Sequence, residues 1–343
     1  IAQTKMTISQ RGMVEGEDGP VLCDVVCTGR FYDFFEERQG EWGLVHRQPI
    51  YEKDRIDPVD PAAILKLDAE ALSKFPEGYR HLAYIQTRIG YTVKMDMPML
   101  KGEGVQALYQ SWQSEKLSLD TKLELSSSLA LPGRPERPIL VSPLTVEKRS
   151  MRTVEGRAVL IHALTHIEFN AINLALDAVW RFTNMPRDYY ADWLKVAAEE
   201  AYHFKLLNAY LQTMHYQYGD FSGHNSLWEM AERTQEDVLA RIALVPRTME
   251  ARGLDAGPLL RNKFAQIGDI DATAILDIIL RDEIGHVAIG NTWFNWLCQQ
   301  RGLEPIAFYK TLAKKYQAPS LRKPFNLDAR RKAGFTEAEL AIL

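Results

Sequence analysis

From Thr153 onward the apolar positions recur at three- and four-residue steps, the period of an α-helix with one buried face. A first helix, A, is expected from about Val154 to Arg181 with Thr153 as its N-cap. Its stripe runs through Ile161, Leu164, Glu168, Ile172, Ala175 and Val179. Asn184-Met185-Pro186 ends it. Helix B follows from about Arg187 to Tyr216, with Trp193, Val196, Glu200, His203, Leu207 and Tyr210 on one face. The polar stretch Tyr218–His224 separates it from helix C, about Ser226 to Arg252, which Pro246 should kink. Gly253–Pro258 reads as a second break. Helix D, about Asp271 to Arg301, aligns Leu276, Ile279, Glu283, His286 and Gly290.

The first third has a different texture. Residues 4–54 alternate β-branched and aromatic runs with turn residues: Lys5–Met13, Val21–Glu37 and Trp42–Tyr51, separated by Glu17-Asp18-Gly19 and Arg38-Gln39-Gly40. This predicts a meander of hairpins. Residues 55–115 mix short helical runs with Gly and Pro breaks. Leu131–Pro138, with three prolines in eight residues, reads as extended linker.

Acids inside apolar stripes are the informative departure from this pattern, because a buried charge is costly unless paired or bound to metal. Glu200-Ala-Tyr-His203 and Glu283-Ile-Gly-His286 are two copies of Glu-x-x-His, which places carboxylate and imidazole one turn apart on one helix face. Glu168 precedes Glu200 by 32 residues and Glu250 precedes Glu283 by 33. The result is a duplicated helix pair carrying four carboxylates and two imidazoles, the established ligand set of a dinuclear metal site in a four-helix bundle. Oxygen and nitrogen donors without thiolate favour two iron ions, with manganese or a mixed pair as alternatives. Six protein ligands over two metals leave positions open for dioxygen, peroxide or water. His166 lies about 200° around the helix from Glu168, so the stripe selects Glu168 and leaves His162 and His166 to packing or an outer shell. Glu232 and Glu236 are rivals to Glu250 within helix C. Glu199 and Asp282 each precede a ligand Glu and point about 100° away, where they can accept the outer N–H of a ligand imidazole. No catalytic group beyond the metal ligands is expected.

Composition adds limits. The 343 residues are 46% hydrophobic and 25% charged, ordinary for a globular chain. A net charge of −4 argues against a nucleic-acid or membrane partner. The basic tail, with Lys310, Lys314, Lys315, Arg322, Lys323, Arg330, Arg331 and Lys332, is expected to be solvated. Cys23, Cys27 and Cys298 form no disulfide framework or Cys-x-x-Cys pair, and Cys23 and Cys27, in a strand-like run, are expected as buried free thiols. No run reaches the roughly 18 consecutive apolar residues of a membrane span, and the opening residues do not read as a signal peptide, so a cytoplasmic setting is expected.

A family resemblance rests on several of these stretches: Pro132–Pro138, Glu155–Ala158, His162–Asn170, Ala198–Ala201, Tyr218–Phe221, Ala243–Arg247, Glu250–Asp255 and Arg281–Gly290. Through them residues from about 117 to 343 resemble the ferritin-like family catalogued as domain of unknown function 455. The resemblance implies a ferritin-like four-helix bundle and metal roles for Glu168, Glu200, His203, Glu250, Glu283 and His286. The acid-Glu-x-x-His pattern is more distantly similar to bacterial di-iron oxygenases and to a tRNA-modifying hydroxylase, a fold-level analogy. The N-terminal part, through Gly29–Arg38, Gly40–Trp42 and Tyr51–Pro58, resembles the C-terminal portion of a SnoaL-like (nuclear-transport-factor-2-like) domain. That family's opening helices, which carry its acid/base residues, are missing from this chain.

The expected architecture is therefore mainly α. A partial SnoaL-like α+β segment (1–110) is followed by a linker and lead-in (111–152), the ferritin-like bundle (153–302) and a basic helical tail (303–343). The expected function is a di-iron, dioxygen-dependent hydroxylase or oxygenase with a small-molecule substrate and an electron donor. A ferroxidase or peroxide scavenger, and a nucleic-acid-modifying hydroxylase, are the alternatives. A homodimer is compatible with the chain.

Overall fold

The computed structural model describes residues 2–17, 19–38, 41–73, 77, 80–81, 98–115, 119–122, 132–143, 145 and 149–343. The fold is mainly helical with a small three-stranded antiparallel sheet, and the chain divides into two compact units, Ile1–Thr92 and Val93–Leu343.

In the first unit, β1 (Ala2–Gly16), β2 (Gly19–Arg38) and β3 (Glu41–Pro58) form the predicted meander in the order β1-β2-β3. The strands are longer than the apolar runs that announce them. The turn residues Asp18, Gln39 and Gly40 lie outside the described residues. Cys23, Val25 and Cys27 alternate onto one buried face of β2 and pack with Val14. The register slips between Thr28 and Gly29, where only glycine fits: an added Cβ would lie 2.2 Å from the Ile50 carbonyl oxygen. A short helix, α1 (Ala69–Ser73), follows.

The second unit begins with α2 (Pro98–Gln113). The sequence boundary near residue 110 assigns this helix to the N-terminal segment. Its contacts correct that assignment, because Gln106 Nε2 donates to the Ala198 carbonyl (2.5 Å) and buried Lys101 donates to Asn173 Oδ1 (2.5 Å). Residues 132–138 are extended as expected; Leu131 and 123–130 lie outside the described residues. Helix α3 (Val154–Arg181) is capped by Thr153, whose hydroxyl accepts from Gly156 N (3.0 Å). By length and composition α3 is apolar enough to cross a membrane, but 78% of that stretch is buried inside the protein. Helix α4 (Arg187–Thr213) doubles back against it and ends three residues earlier than expected.

The expected helix C is the main correction. It is assembled from α5 (Ser226–Arg233), α6 (Val238–Leu244), a π-helical segment (Val245–Glu250) and α7 (Ala251–Gln266). Pro246 opens the π segment instead of producing a simple kink, and Gly290 of the facing helix makes room for it. A Cβ on Gly290 would lie 3.0 Å from Pro246 Cβ. Gly253–Pro258 is helix, not a break. Pro258 removes the N–H that would bond the Leu254 carbonyl, and Asn326 Nδ2 donates to that carbonyl instead (3.2 Å). Gly257 lets α7 approach Leu280 closely.

Helix α8 (Ile270–Gln300) matches the expected helix D and packs on α4, α6 and α7. The tail forms α9 (Pro305–Lys315), α10 (Leu327–Lys332) and α11 (Glu337–Leu340). It is not simply solvated. Arg330 is buried on Asp255 (2.6 Å), and Arg331 pairs with Asp328 and Glu337. The three cysteines are free and buried.

Candidate metal centre

Along each central helix the polar residues fall between two apolar clusters. On one side lie Phe169, Val196, Phe204, Ile242, Trp293 and Phe294; on the other lie Ile161, Leu207, Phe264, Leu276 and Ile279. Between them Glu168 comes from α3, Glu200 and His203 from α4, Glu250 from the end of the π segment, and Glu283 and His286 from α8.

Donor atoms of Glu168, Glu200, His203 and Glu283 all lie within 4.8 Å of one another. His203 Nδ1 is 3.3 Å from Glu168 Oε2 and 3.5 Å from Glu200 Oε2. His286 adjoins this set. Its Nδ1 is 2.9 Å from Glu200 Oε1 and 3.9 Å from Glu283 Oε1. Glu200 thus reaches both imidazoles, one with each oxygen. Glu250 lies outside the tight group of four but within electrostatic reach of Glu200, His286 and Glu283.

The outer faces of the two imidazoles are held reciprocally. His203 Nε2 donates to Asp282 Oδ2 on α8 (3.1 Å), and His286 Nε2 donates to Glu199 Oε2 on α4 (2.9 Å). Each acid preceding a Glu-x-x-His glutamate therefore orients the imidazole of the other helix, and each Nδ1 is left facing inward. The sequence places these acids at the right angle; the exchange between helices depends on the packing of α4 against α8.

The electrostatics are those of a cage short of positive charge. Burial, with the charge of Glu200 added, pushes Glu168 and Glu250 each up to about 8 and Glu283 well above the ordinary carboxylate range. Burial alone would lower both imidazoles. For His203, the hydrogen bond to Glu168 and the adjacent Glu200 carboxylate outweigh it and raise the pKa to about 12. His286 is raised chiefly by Glu200 and Glu199. Burial alone would raise Glu200, but the two imidazoles hold it below the usual range. Glu200 Oε2, Glu250 Oε2 and His286 Nδ1 are buried without a hydrogen-bond partner; the close His286–Glu200 approach lacks hydrogen-bond alignment. Buried polar atoms of this kind are costly unless something else satisfies them. A metal ion would satisfy such a donor set, and Glu168, Glu200, His203 and Glu283 lie close enough together to hold one.

The rival acids lie elsewhere. Glu232 accepts from Trp228 Nε1 (2.8 Å) on an exposed face, and Glu236 is exposed. His162 and His166 serve packing. His162 Nε2 accepts from Gly219 N (2.9 Å), and His166 bonds the Tyr218 hydroxyl (2.8 Å) and the His224 carbonyl (2.9 Å).

A cavity of about 640 Å³ borders the outer carboxylate Glu199. Met99, Gly102, Gln106, Ala201 and Phe204 are among the residues that line it. Glu283 keeps 14% side-chain exposure, whereas Glu200, His203 and His286 keep 2% or less, so the cage meets solvent beside Glu283.

With this geometry in hand, comparison with known proteins is decisive for residues 94–341, which match the family described as "Protein of unknown function (DUF455)". The chain belongs to that family. It is 47% identical over 257 residues to an uncharacterized protein of Haemophilus influenzae, covering 72% of this chain and 89% of that protein. It is also 39% identical over 99 residues to Pea pathogenicity protein 2 of Fusarium vanettenii, covering 29% of this chain and 41% of that protein. An uncharacterized protein of Emericella nidulans is 33% identical over 123 residues, 32% of this chain and 50% of that protein. The chain thus spans half or less of these two fungal relatives. No solved structure matches the chain.

Proposed function

We propose that this chain is a ferritin-like, dinuclear-metal oxidoreductase, in which Glu168, Glu200, His203, Glu250, Glu283 and His286 hold two iron ions. The observation that carries the reading is the cage itself. Two Glu-x-x-His pairs converge with their Nδ1 atoms inward, and each imidazole is oriented by an acid from the opposite helix. Manganese or a mixed pair suits the same donors. When bound, such cations supply redox chemistry with dioxygen or peroxide at positions that protein atoms do not fill.

The chain's own residues do the rest. Glu200 is placed to bridge the two halves. Asp282 and Glu199 keep the proton of each imidazole on its outer nitrogen. The flanking apolar clusters exclude water from the cage interior. The cavity beside Glu199 falls within the usual size range of small-molecule sites. Its partly apolar wall favours an organic substrate, hence a hydroxylase or oxygenase working with an electron donor, over a ferroxidase that needs an acidic iron path. The uptake of Arg330 and Arg331 into ion pairs removes two of the tail's cations from any phosphate-binding role. For the first unit we propose the partial SnoaL-like cone, supported by its meander.

The test is dioxygen uptake by the anaerobically iron-loaded chain, with visible absorption recorded before and after exposure. Uptake faster than that of free iron, lost in Glu200→Ala and stimulated by fractionated cell extract, is expected. Uptake no faster than free iron would refute the oxidoreductase reading. Uptake indifferent to every extract fraction would favour iron handling.

A further inference from the structure

A second built site lies away from the cage, between the extended segment 132–140 and α3. A cavity of about 290 Å³ is lined there by Arg134, Ile139, Leu140, His166, Phe169 and Tyr218 among others. Its walls are fixed from several directions. Lys101 Nζ donates to the Gly133 carbonyl (2.8 Å), which anchors the residue beside Arg134. Gly223 pairs with the segment through Gly223 N to Ile139 O (3.0 Å) and Val141 N to Gly223 O (2.8 Å). Only glycine fits at 223, since a Cβ would lie 2.7 Å from the His166 ring.

The polar groups of the wall are mostly spent. His166 Nε2 donates to the His224 carbonyl, so its Nδ1 accepts from the Tyr218 hydroxyl, and Asn170 Nδ2 donates to the His166 carbonyl (2.8 Å). Arg134 is the exception. Among the described residues it makes no ion pair or hydrogen bond, its Nη2 is buried without a partner, and its guanidinium lies 5.8 Å from the Trp228 ring centre. Arg134 lines the cavity, and a guanidinium with no ion-pair partner there is stabilised by an anionic group brought against it.

The surroundings select the anion. One unspent cationic donor suits one anionic group. Glu136 lines the same cavity, and Glu229 and Glu232 act on Arg134 from nearby, so the local field does not favour a dianion. Pro135, Pro138, Ile139, Leu140 and Phe169 present apolar surface. We infer that this cavity binds a small hydrophobic monocarboxylate, its carboxylate on Arg134 and its body against Ile139, Leu140 and Phe169. None of the six cage residues lines this cavity.

The test is calorimetric titration of the whole chain, metal-free and manganese-loaded, with benzoate, hexanoate and inorganic phosphate. Saturable binding of benzoate or hexanoate is expected, unchanged by metal and stronger than that of phosphate. Arg134→Gln should weaken it at least about tenfold, the scale of one charged hydrogen bond. Arg137→Gln, on the exposed neighbour, should leave it unchanged. Ile139 is 63% exposed, so Ile139→Trp should fold, fill the cavity and abolish binding even if Arg134→Gln does not fold. Absence of saturable carboxylate binding, preference for phosphate, or full affinity in Ile139→Trp or in folded Arg134→Gln would overturn the inference.

Discussion

Loading the cage with metal should expel protons, and the number is worked from the residues. Glu168 and Glu250, each at about 8, hold roughly 0.9 proton apiece at pH 7. His203, near 12, is also protonated there. Every one of these groups must shed its proton to act as a ligand. Mn²⁺ added at pH 7 should therefore release on the order of three protons per chain from these three groups. At pH 9 Glu168 and Glu250 are already ionised, so the release from these groups should fall to about one. The sign follows: protons compete with metal, so apparent affinity rises with pH and rises most steeply below about 8. Calorimetry in buffers of different ionisation enthalpy gives the count directly. Release of fewer than about one proton at pH 7, or a count that does not fall between pH 7 and pH 9, would refute the electrostatic picture of the cage.

Further outcomes are expected elsewhere in the molecule. Asp282→Asn and Glu199→Gln should each weaken metal binding by roughly tenfold to a hundredfold while leaving the helical spectrum intact; equilibrium dialysis against Mn²⁺ would measure this, and wild-type affinity in both would show that the outer carboxylates do not orient the imidazoles. Gly290→Ala puts a methyl 3.0 Å from Pro246 Cβ, so denaturant unfolding should show a loss of about 1 to 3 kcal/mol, and an unchanged midpoint would mean that the π segment yields freely. His162 is pushed from 6.5 down to about 4 by burial and by His166. Its folded pKa lies below its unfolded one, so its contribution is present above about 6.5 and is lost as pH falls toward 4. The loss amounts to about 2 to 3 kcal/mol by pH 4.5. His162→Asn should lose correspondingly less stability than the wild type between pH 6.5 and pH 4.5 in urea titrations, and an equal loss in both proteins would contradict the assignment.

The long helices α3, α4 and α8 were legible because their apolar stripes are unbroken and their ends carry local signals such as Thr153. The convergence of these acids and imidazoles was legible for the same reason: a charged residue in an apolar stripe needs a partner wherever the stripe points. The third helix was misread because prolines and glycines speak only about their neighbours in sequence. The compensation for Pro258 comes from Asn326, far along the chain, and the room for Pro246 comes from Gly290 on another helix. Glu200's reach to both imidazoles, and the crossed hydrogen bonds of Asp282 and Glu199, depend on the relative phase of α4 and α8, which no single helix encodes. In the sequence Arg134 reads as part of a proline-rich connector. The signal was an arginine inside a segment otherwise suited only to lie against a wall, and its isolation becomes visible only once Trp228 and the 218–224 loop are folded around it.

Metal stoichiometry tests the central claim most directly. The chain should be reconstituted anaerobically with Fe²⁺ or Mn²⁺, freed of loose metal and analysed by elemental mass spectrometry beside Glu200→Ala and the rival-site variant Glu232→Ala. Two metals per chain in the wild type and in Glu232→Ala, with loss of both in Glu200→Ala, is the predicted result. One metal or none in the folded wild type, or two retained in Glu200→Ala, would contradict a dinuclear cage spanned by Glu200.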